Sequence, residues 1–335
     1  MSAMSSQTKS SSRSQTGRQP GRPPRVPHPP ALERAGIADA PRDEKNAIEV
    51  LIDAPREFKR LFALFKSMGT NNISVLFEPT GINFYALRES QAVKQKGNES
   101  HKAVKARVIA RIEGSQCNHY FCAEDLHCAI TRTKYDEVFA IPDKFTYSVT
   151  LHVNVGDKAS LYVTYTNYQL GRDCEYSITL SKPVHTYEEV DREIANVQDG
   201  FSVVDRYPLE WRLEAANFKK LVTEVVKFSP IVTVEKIGED PLSLSYQIPN
   251  KHDYREVYKD GARVGLRLAE DIPYVFHARI NLAAITPLAT SSPLPVVRIL
   301  CATGEPTLYR SAPSAGGSNS SAGAFSLNVL VDTPQ

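Results

Sequence analysis

The sequence of 335 residues has no apolar run near the 18 to 20 residues that cross a bilayer as a helix, and no hydrophobic leader at its start. The expectation is a soluble intracellular protein of the cytoplasm or nucleus, neither secreted nor in a membrane. Cysteine is scarce and odd in number, five in the chain. Scattered among strand-like segments, the five fit reduced thiols rather than a disulfide framework. No glycine-rich phosphate loop precedes a helix, no G-x-S-x-G elbow occurs, and the carboxylates are dispersed without pairing. His277, in YVFHARI, alternates within a strand and is structural in character. These absences exclude the commonest enzyme signatures and imply no cofactor.

What is present is a near-average globular composition, 41% hydrophobic and 23% charged, which suffices for the cores of two domains of ordinary size. Residues 1–43 differ: crowded with Ser, Arg, Gly and Pro, they offer no apolar face and predict a disordered tail. They carry seven Lys or Arg against three acids, a balance of +4; since the whole chain is +2, the remainder is −2. A basic flexible arm suits nucleic-acid contact, a nuclear address or plain solubility. Within it GRPPR, with Arg22 and Arg25, resembles minor-groove hooks that read A·T-rich DNA, although a single imperfect copy favours a non-specific arm or a nuclear address over a specific hook.

Beyond the tail, AIEVLID alternates as a strand and leads into a helix over about 54–68 with Pro55 in its first turn. ISVLFE, GINFYAL and KARVIARI follow as strands around the polar loop QKGNESHK. A shorter helix spans 132–141, where Thr133 and Asp136 have capping-box spacing. TYSVTLHVN, SLYVTYTN and DCEYSITL, rich in Thr, Tyr and Val, are three further strands. The order then repeats: LEWRLE, a helix over 215–228, four strands, a short Pro287-interrupted helix over 281–291, and three strands. The two leading helices echo one another at an offset of 160, FKRLFALFK from Phe58 and FKKLVTEVVK from Phe218, each with apolar residues at helical spacing and cations opposite. The echo implies duplication. Residues 182–207 form a long polar connector, and 311–324, full of Ser, Gly and Ala, a flexible loop.

Cys117, His119, Cys122, His127 and Cys128 concentrate metal-ligand types, but their spacing, C-x-H-x-x-C-x4-H-C, matches no usual zinc site. In an extended segment Cys117 and His119 would share one face while Cys122 takes the other, so strand thiols and no metal are expected.

The duplicated order, with GINFYALRES, CAITRTKYDEVF, NLAAITPL and GEPTLY in sequence over roughly 46–332, resembles the proliferating cell nuclear antigen family of DNA sliding clamps. NHYFCAEDL, YPLEWRL and VTVEKIGEDPL resemble the divergent clamp of large DNA viruses such as African swine fever virus. The resemblance implies an α+β fold of two tandem similar clamp domains, 44–181 and 208–335, joined by the connector 182–207. Each domain has antiparallel sheets outside and two helices inside. Three chains would close into a homotrimeric ring around duplex DNA, tethering a polymerase in replication and docking repair proteins, without catalysis.

A sliding ring needs weak, register-free attraction to phosphates. The implied candidates are Arg56, Lys59, Arg60 and Lys66 on the first helix, Arg132 and Lys134 on the second, and Lys219, Lys220 and Lys227 on the third; the same side chains would also serve as an ordinary solvated face. The fourth helix, LAAITPLATSS, has no cation. Ring closure through edge strands would use Cys174, Tyr176 and Ile178 against Tyr254, Val257 and Tyr258, or these are ordinary strand residues. Partner peptides would enter a pocket of Leu87, Val203, Tyr207 and Pro306, with Phe201 added on its position. The competing readings are a DNA-binding accessory subunit of a viral polymerase that has this fold but never closes, and a β-rich virion protein without affinity for duplex.

Overall fold

The computed structural model describes residues 36–89, 104–167, 171–197, 206–247, 253–258, 264–270, 272–291, 295–312 and 325–333. The first half runs β1 (Asn46–Ile52), α1 (Pro55–Ser67), β2 (Asn72–Glu78), β3 (Gly81–Glu89), β4 (Lys105–Glu113), β5 (His119–Cys122), β6 (Leu126–Thr131), α2 (Arg132–Val138), β7 (Thr146–Asn154), β8 (Asp157–Asn167) and β9 (Arg172–Thr179). After α3 (Tyr187–Ala195), the second half runs β10 (Leu209–Glu214), α4 (Ala215–Val225), β11 (Ile231–Ile237), β12 (Leu242–Gln247), β13 (Asp253–Tyr258), β14 (Val264–Leu268), β15 (Val275–Asn281), α5 (Leu282–Ser291), β16 (Val296–Cys301), β17 (Thr307–Ala312) and β18 (Phe325–Val331). Among the described residues no helix is long and apolar enough to cross a membrane.

The second half repeats the first strand for strand. The first half forms sheets of order β5-β1-β7-β8-β9 and β4-β3-β2-β6; the second forms β14-β10-β16-β17-β18 and β13-β12-β11-β15. All ladders are antiparallel. One pairing joins the halves: β18 lies against β4, from Phe325 opposite Ile112 to Val331 opposite Ala106, fusing two of these sheets into one of nine strands.

The echoing helices occupy matching places in this repeat. In α1 the buried stripe is Phe58, Leu61, Phe62 and Phe65; in α4 it is Phe218, Leu221, Val222 and Val225. The larger side chains of α1 build an aromatic cluster: the ring of Phe62 lies 3.9 Å from Phe139, 4.9 Å from Phe58 and 5.5 Å from Phe84. Pro55 sits in the first turn of α1, where its missing amide hydrogen costs nothing. Helix α1 touches α2 on one side and α5 on the other, and α5 touches α4, so the four form one row, α2-α1-α5-α4.

Several expectations need correction. The helix expected over 132–141 ends at Val138, and its N-cap is Thr131 with no side-chain cap bond. Asp136, read as half of a capping box, instead pairs with Lys66 and Arg132. Pro287 lies inside α5 without ending it. The helix read as reaching 228 stops at Val225. The connector contains α3, closed by a capping box in which Thr186 accepts from the Glu189 amide and Glu189 accepts from the Thr186 amide. Residues 36–43, assigned by composition to the disordered tail, run along β5: Ala38 donates to the Tyr120 carbonyl, Tyr120 donates to the Gly36 carbonyl, and the Arg42 amide donates to Glu49.

Candidate nucleic-acid and partner surfaces

The cations expected on the helices are present at the surface, but they are not equivalent. Lys66 lies 3.1 Å from Asp136, which also takes Arg132 at 3.8 Å; Lys134 lies 3.9 Å from Glu137. Lys59 donates to the carbonyl of Pro142 at 2.8 Å, fastening α1 to the segment that follows α2. Arg56, Arg60, Lys219, Lys220 and Lys227 are exposed and have no acidic partner among the described residues. A phosphate chain would meet five unpaired cations there and four that first have to leave a partner. Arg22 and Arg25 lie outside the described residues.

On the opposite side of the nine-stranded sheet, α3 lies across the junction of the halves. Val190, Ile194 and Val197 cover Tyr85, Ile109, Leu300, Leu308 and Leu330, with Tyr207 in the same cluster and Leu87 packed against it. Burial first, and then the Glu193 carboxylate, push the Tyr85 hydroxyl up to about 12. Polar contacts pin the helix over this apolar floor. Arg107 of β4 reaches Glu193 at 3.2 Å and Asp332 at 2.7 Å, Arg310 of β17 donates to the Val197 carbonyl, and the Tyr187 hydroxyl contacts Glu78 at 3.4 Å. Leu87 and Tyr207 of the expected pocket therefore meet in one cluster, and Pro306 sits half-buried immediately before β17. Phe201 and Val203 lie outside the described residues. Sequence reasoning missed α3 and its anchors, although the T-x-x-E spacing of Thr186 and Glu189 marked its start.

The strands expected to close a ring are edges. β9 pairs only with β8, and β13 only with β12, among the described residues. In the internal repeat β9 is the counterpart of β18 and β13 of β4, the two strands that join the halves. Two other edges are covered locally: β5 takes bonds from residues 36–38, and Ala129 of β6 exchanges backbone bonds with Ser181. Tyr254 and Val257 are 46% and 51% exposed, unusual for large apolar side chains of a strand, whereas Ile178 is wholly buried and Tyr258 packs on Trp211 at 4.7 Å. Tyr176 is half-buried beside Tyr165, and Cys174 is partly exposed. The outward residues of β9 include Asp173 and Glu175; those of β13 include Arg255.

The Cys and His residues weighed for metal are divided between sheets. Cys117, His119 and Cys122 belong to the β5 region, where the Cys117 thiol donates to the Glu113 carbonyl and His119 faces Glu49. Cys128, on β6, donates to the Val75 carbonyl, and burial pushes its thiol up to about 12.

No protein-family model matches the chain. It is 30% identical over 297 residues, 88% of this chain and 93% of the relative, to an uncharacterized protein of African swine fever virus from a Malawian tick isolate, and the same viral protein from a Kenyan pig isolate gives the same figures. Among solved structures, proliferating cellular nuclear antigen from Entamoeba histolytica superposes with a TM-score of 0.63 over 87% of this chain and 99% of that one, at 14% identity. The Thermococcus kodakaraensis PCNA gives 0.63 over 86% and 100%, at 13% identity. The chain has the fold of these clamps.

Proposed function

Because the chain belongs to the same family as this African swine fever virus protein and has the fold of PCNA, we propose that it is a DNA sliding clamp, a polymerase processivity factor that encircles duplex without catalysing a reaction. In this reading residues 44–181 and 208–335 are its two clamp domains, residues 182–207 the connector, and three copies close head to tail. The observation that carries it is that two of the sheet edges, β9 and β13, are the repeat counterparts of β18 and β4. β18 and β4 already make, within one chain, the junction that β9 of one copy would make with β13 of the next. Repeating that junction three times turns six half-modules into a closed ring with no bare edge between subunits. The exposed Asp173 and Glu175 of β9 and Arg255 of β13 would supply opposite charges across it.

The row α2-α1-α5-α4 would then face the hole. Arg56, Arg60, Lys219, Lys220 and Lys227 supply sequence-independent attraction to phosphates, weak enough to slide, because side chains meeting only backbone charge have no preferred register. The cation-free α5 thins the lining between α1 and α4. Polymerase and repair proteins would dock on the outer face by short apolar peptides near Leu87, Tyr207 and Pro306, where the connector has its own helix to contend with.

The test is retention on DNA of different topology. A closed ring stays on circular duplex at salt that strips an electrostatic binder, and it leaves when the circle is cut. Loss from circular and linear duplex at the same salt would favour the accessory subunit that never closes, and no association with duplex at any salt would favour a virion protein.

A further inference from the structure

On the outer face of the second half, arginines stand side by side on adjacent strands. Arg212 of β10 is directly opposite Arg298 of β16, which is directly opposite Arg310 of β17. Like charges in such positions repel and are destabilising unless something compensates. Part of the compensation is Glu210, buried on the same face of β10: Arg212 donates to it at 2.6 Å, Arg267 of β14 at 3.0 Å, and Arg298 stands at 3.7 Å. Burial alone would raise the Glu210 carboxyl, but the bonds from Arg212 and Arg267 hold it below its ordinary value, so it is fully ionised. Arg310 donates to Asn328 and to the Val197 carbonyl. Glu214, two residues from Arg212 on the same face, is a second acid of the group among the described residues and accepts from Asn217. Among the described residues, Arg212, Arg267 and Arg298 thus share the one buried carboxylate of Glu210.

Arg212, Arg267 and Arg298 keep between 31% and 46% of their side-chain surface, so they remain open to a ligand. The Nη2 of Arg267 is buried without a hydrogen-bond partner. The stem of Arg212 lies over Gly265. Two residues beyond Arg298 on the same strand face is Leu300, and two before Arg310 is Leu308, both in the apolar floor beneath α3. The surplus positive charge and the apolar floor are therefore one continuous surface, separated by about 7 Å along the strand.

We propose that this arginine row is a docking site for an acidic stretch of a partner polypeptide, with Asp or Glu carboxylates accepting from the guanidinium donors that Glu210 leaves free. Guanidinium forks match carboxylates in pairs of hydrogen bonds, which suits a row of them to a run of acids. A peptide is favoured over nucleic acid by placement, since the row is on the sheet face opposite the helices and adjoins the apolar floor. The site deepens the clamp reading by giving its partners a chemistry: an apolar anchor with an acidic flank.

The probe is a fluorescent hexaglutamate peptide, titrated into the full chain at low salt and followed by anisotropy, with a ten-residue single-stranded oligothymidylate as competitor. R298Q preserves both short bonds to Glu210 and is expected to weaken hexaglutamate binding about fivefold. E210Q removes the internal competitor and is expected to strengthen it, an opposite sign that loss of structure would not produce. Unchanged affinity in R298Q overturns the proposal, whatever E210Q does to folding. Tighter, Arg298-dependent binding of the oligothymidylate overturns it in favour of a nucleic-acid groove. Mass in solution and retention on circular duplex, measured on the same variants, report failure of the clamp reading separately.

Discussion

Lys59 and Arg60 are neighbours in α1 with different roles. Lys59 is bonded to the Pro142 carbonyl, while Arg60 is exposed and has no acid beside it. Sequence pattern alone put the two in one class, because it reports which face of a helix a cation occupies and not what the next element offers it. Replacing Arg60, Lys219 and Lys220 by Ala is expected to reduce the salt dependence of duplex binding by about 0.9 logarithmic units for each phosphate no longer neutralised. Lys66→Ala and Lys134→Ala should change it less, since Asp136 and Glu137 already engage those charges; equal slopes for both sets would contradict the division. At the same scale, burial lowers the pKa of His119 and His127, against the pull of Glu49 on the first and of Glu188 on the second. A folded value below the ordinary one of about 6.5 means that the unfolded chain binds the proton first as pH falls. Stability is therefore expected to be level above about 6.5 and to decline below it, and His127→Gln should flatten part of that decline in urea melts at pH 8 and 5.5.

Among the elements, strands and leading helices were legible in the sequence because each carried its own period: two in β7 and β8, 3.6 in α1 and α4. Less legible were β5 and β6, short strands whose partners β1 and β2 lie far away in the chain. The connector was read as polar and irregular because α3 presents only Val190 and Ile194 to the sheet, too few for a strong pattern over nine residues. Its capping box carries correspondingly more of its stability. Thr186→Ala is expected to cost about 1 kcal/mol locally and to speed amide exchange in 190–196 while leaving β16 and β17 unaffected; unchanged exchange would mean that packing alone holds α3. In the aromatic cluster, Phe62→Ala is expected to cost about 3 to 5 kcal/mol in denaturant unfolding, because the ring fills a space bounded by Phe58, Phe84 and Phe139. At the open edges, Arg255→Glu should drive assemblies toward single chains, and Glu175→Arg in the same chain should restore part of the assembly.

For the molecule as a whole, the duplication seen first in two lysine-bearing helices extends to every strand, and in the proposed ring the internal junction would be the template for an external one. Residue pattern revealed the repeat and the resemblance named the two edge strands; the pairing of β18 with β4 shows that they are counterparts of the strands that join the halves. Ile178 is buried and Tyr258 packs on Trp211, so in the proposed ring Tyr254, Val257 and the charges of Asp173, Glu175 and Arg255 would make the junction. The decisive measurement is the mass of the full chain in solution by light scattering coupled to size exclusion, at micromolar concentration and moderate salt. The account predicts three chains, falling toward one in Arg255→Glu; a wild-type mass of one chain at every concentration would contradict it.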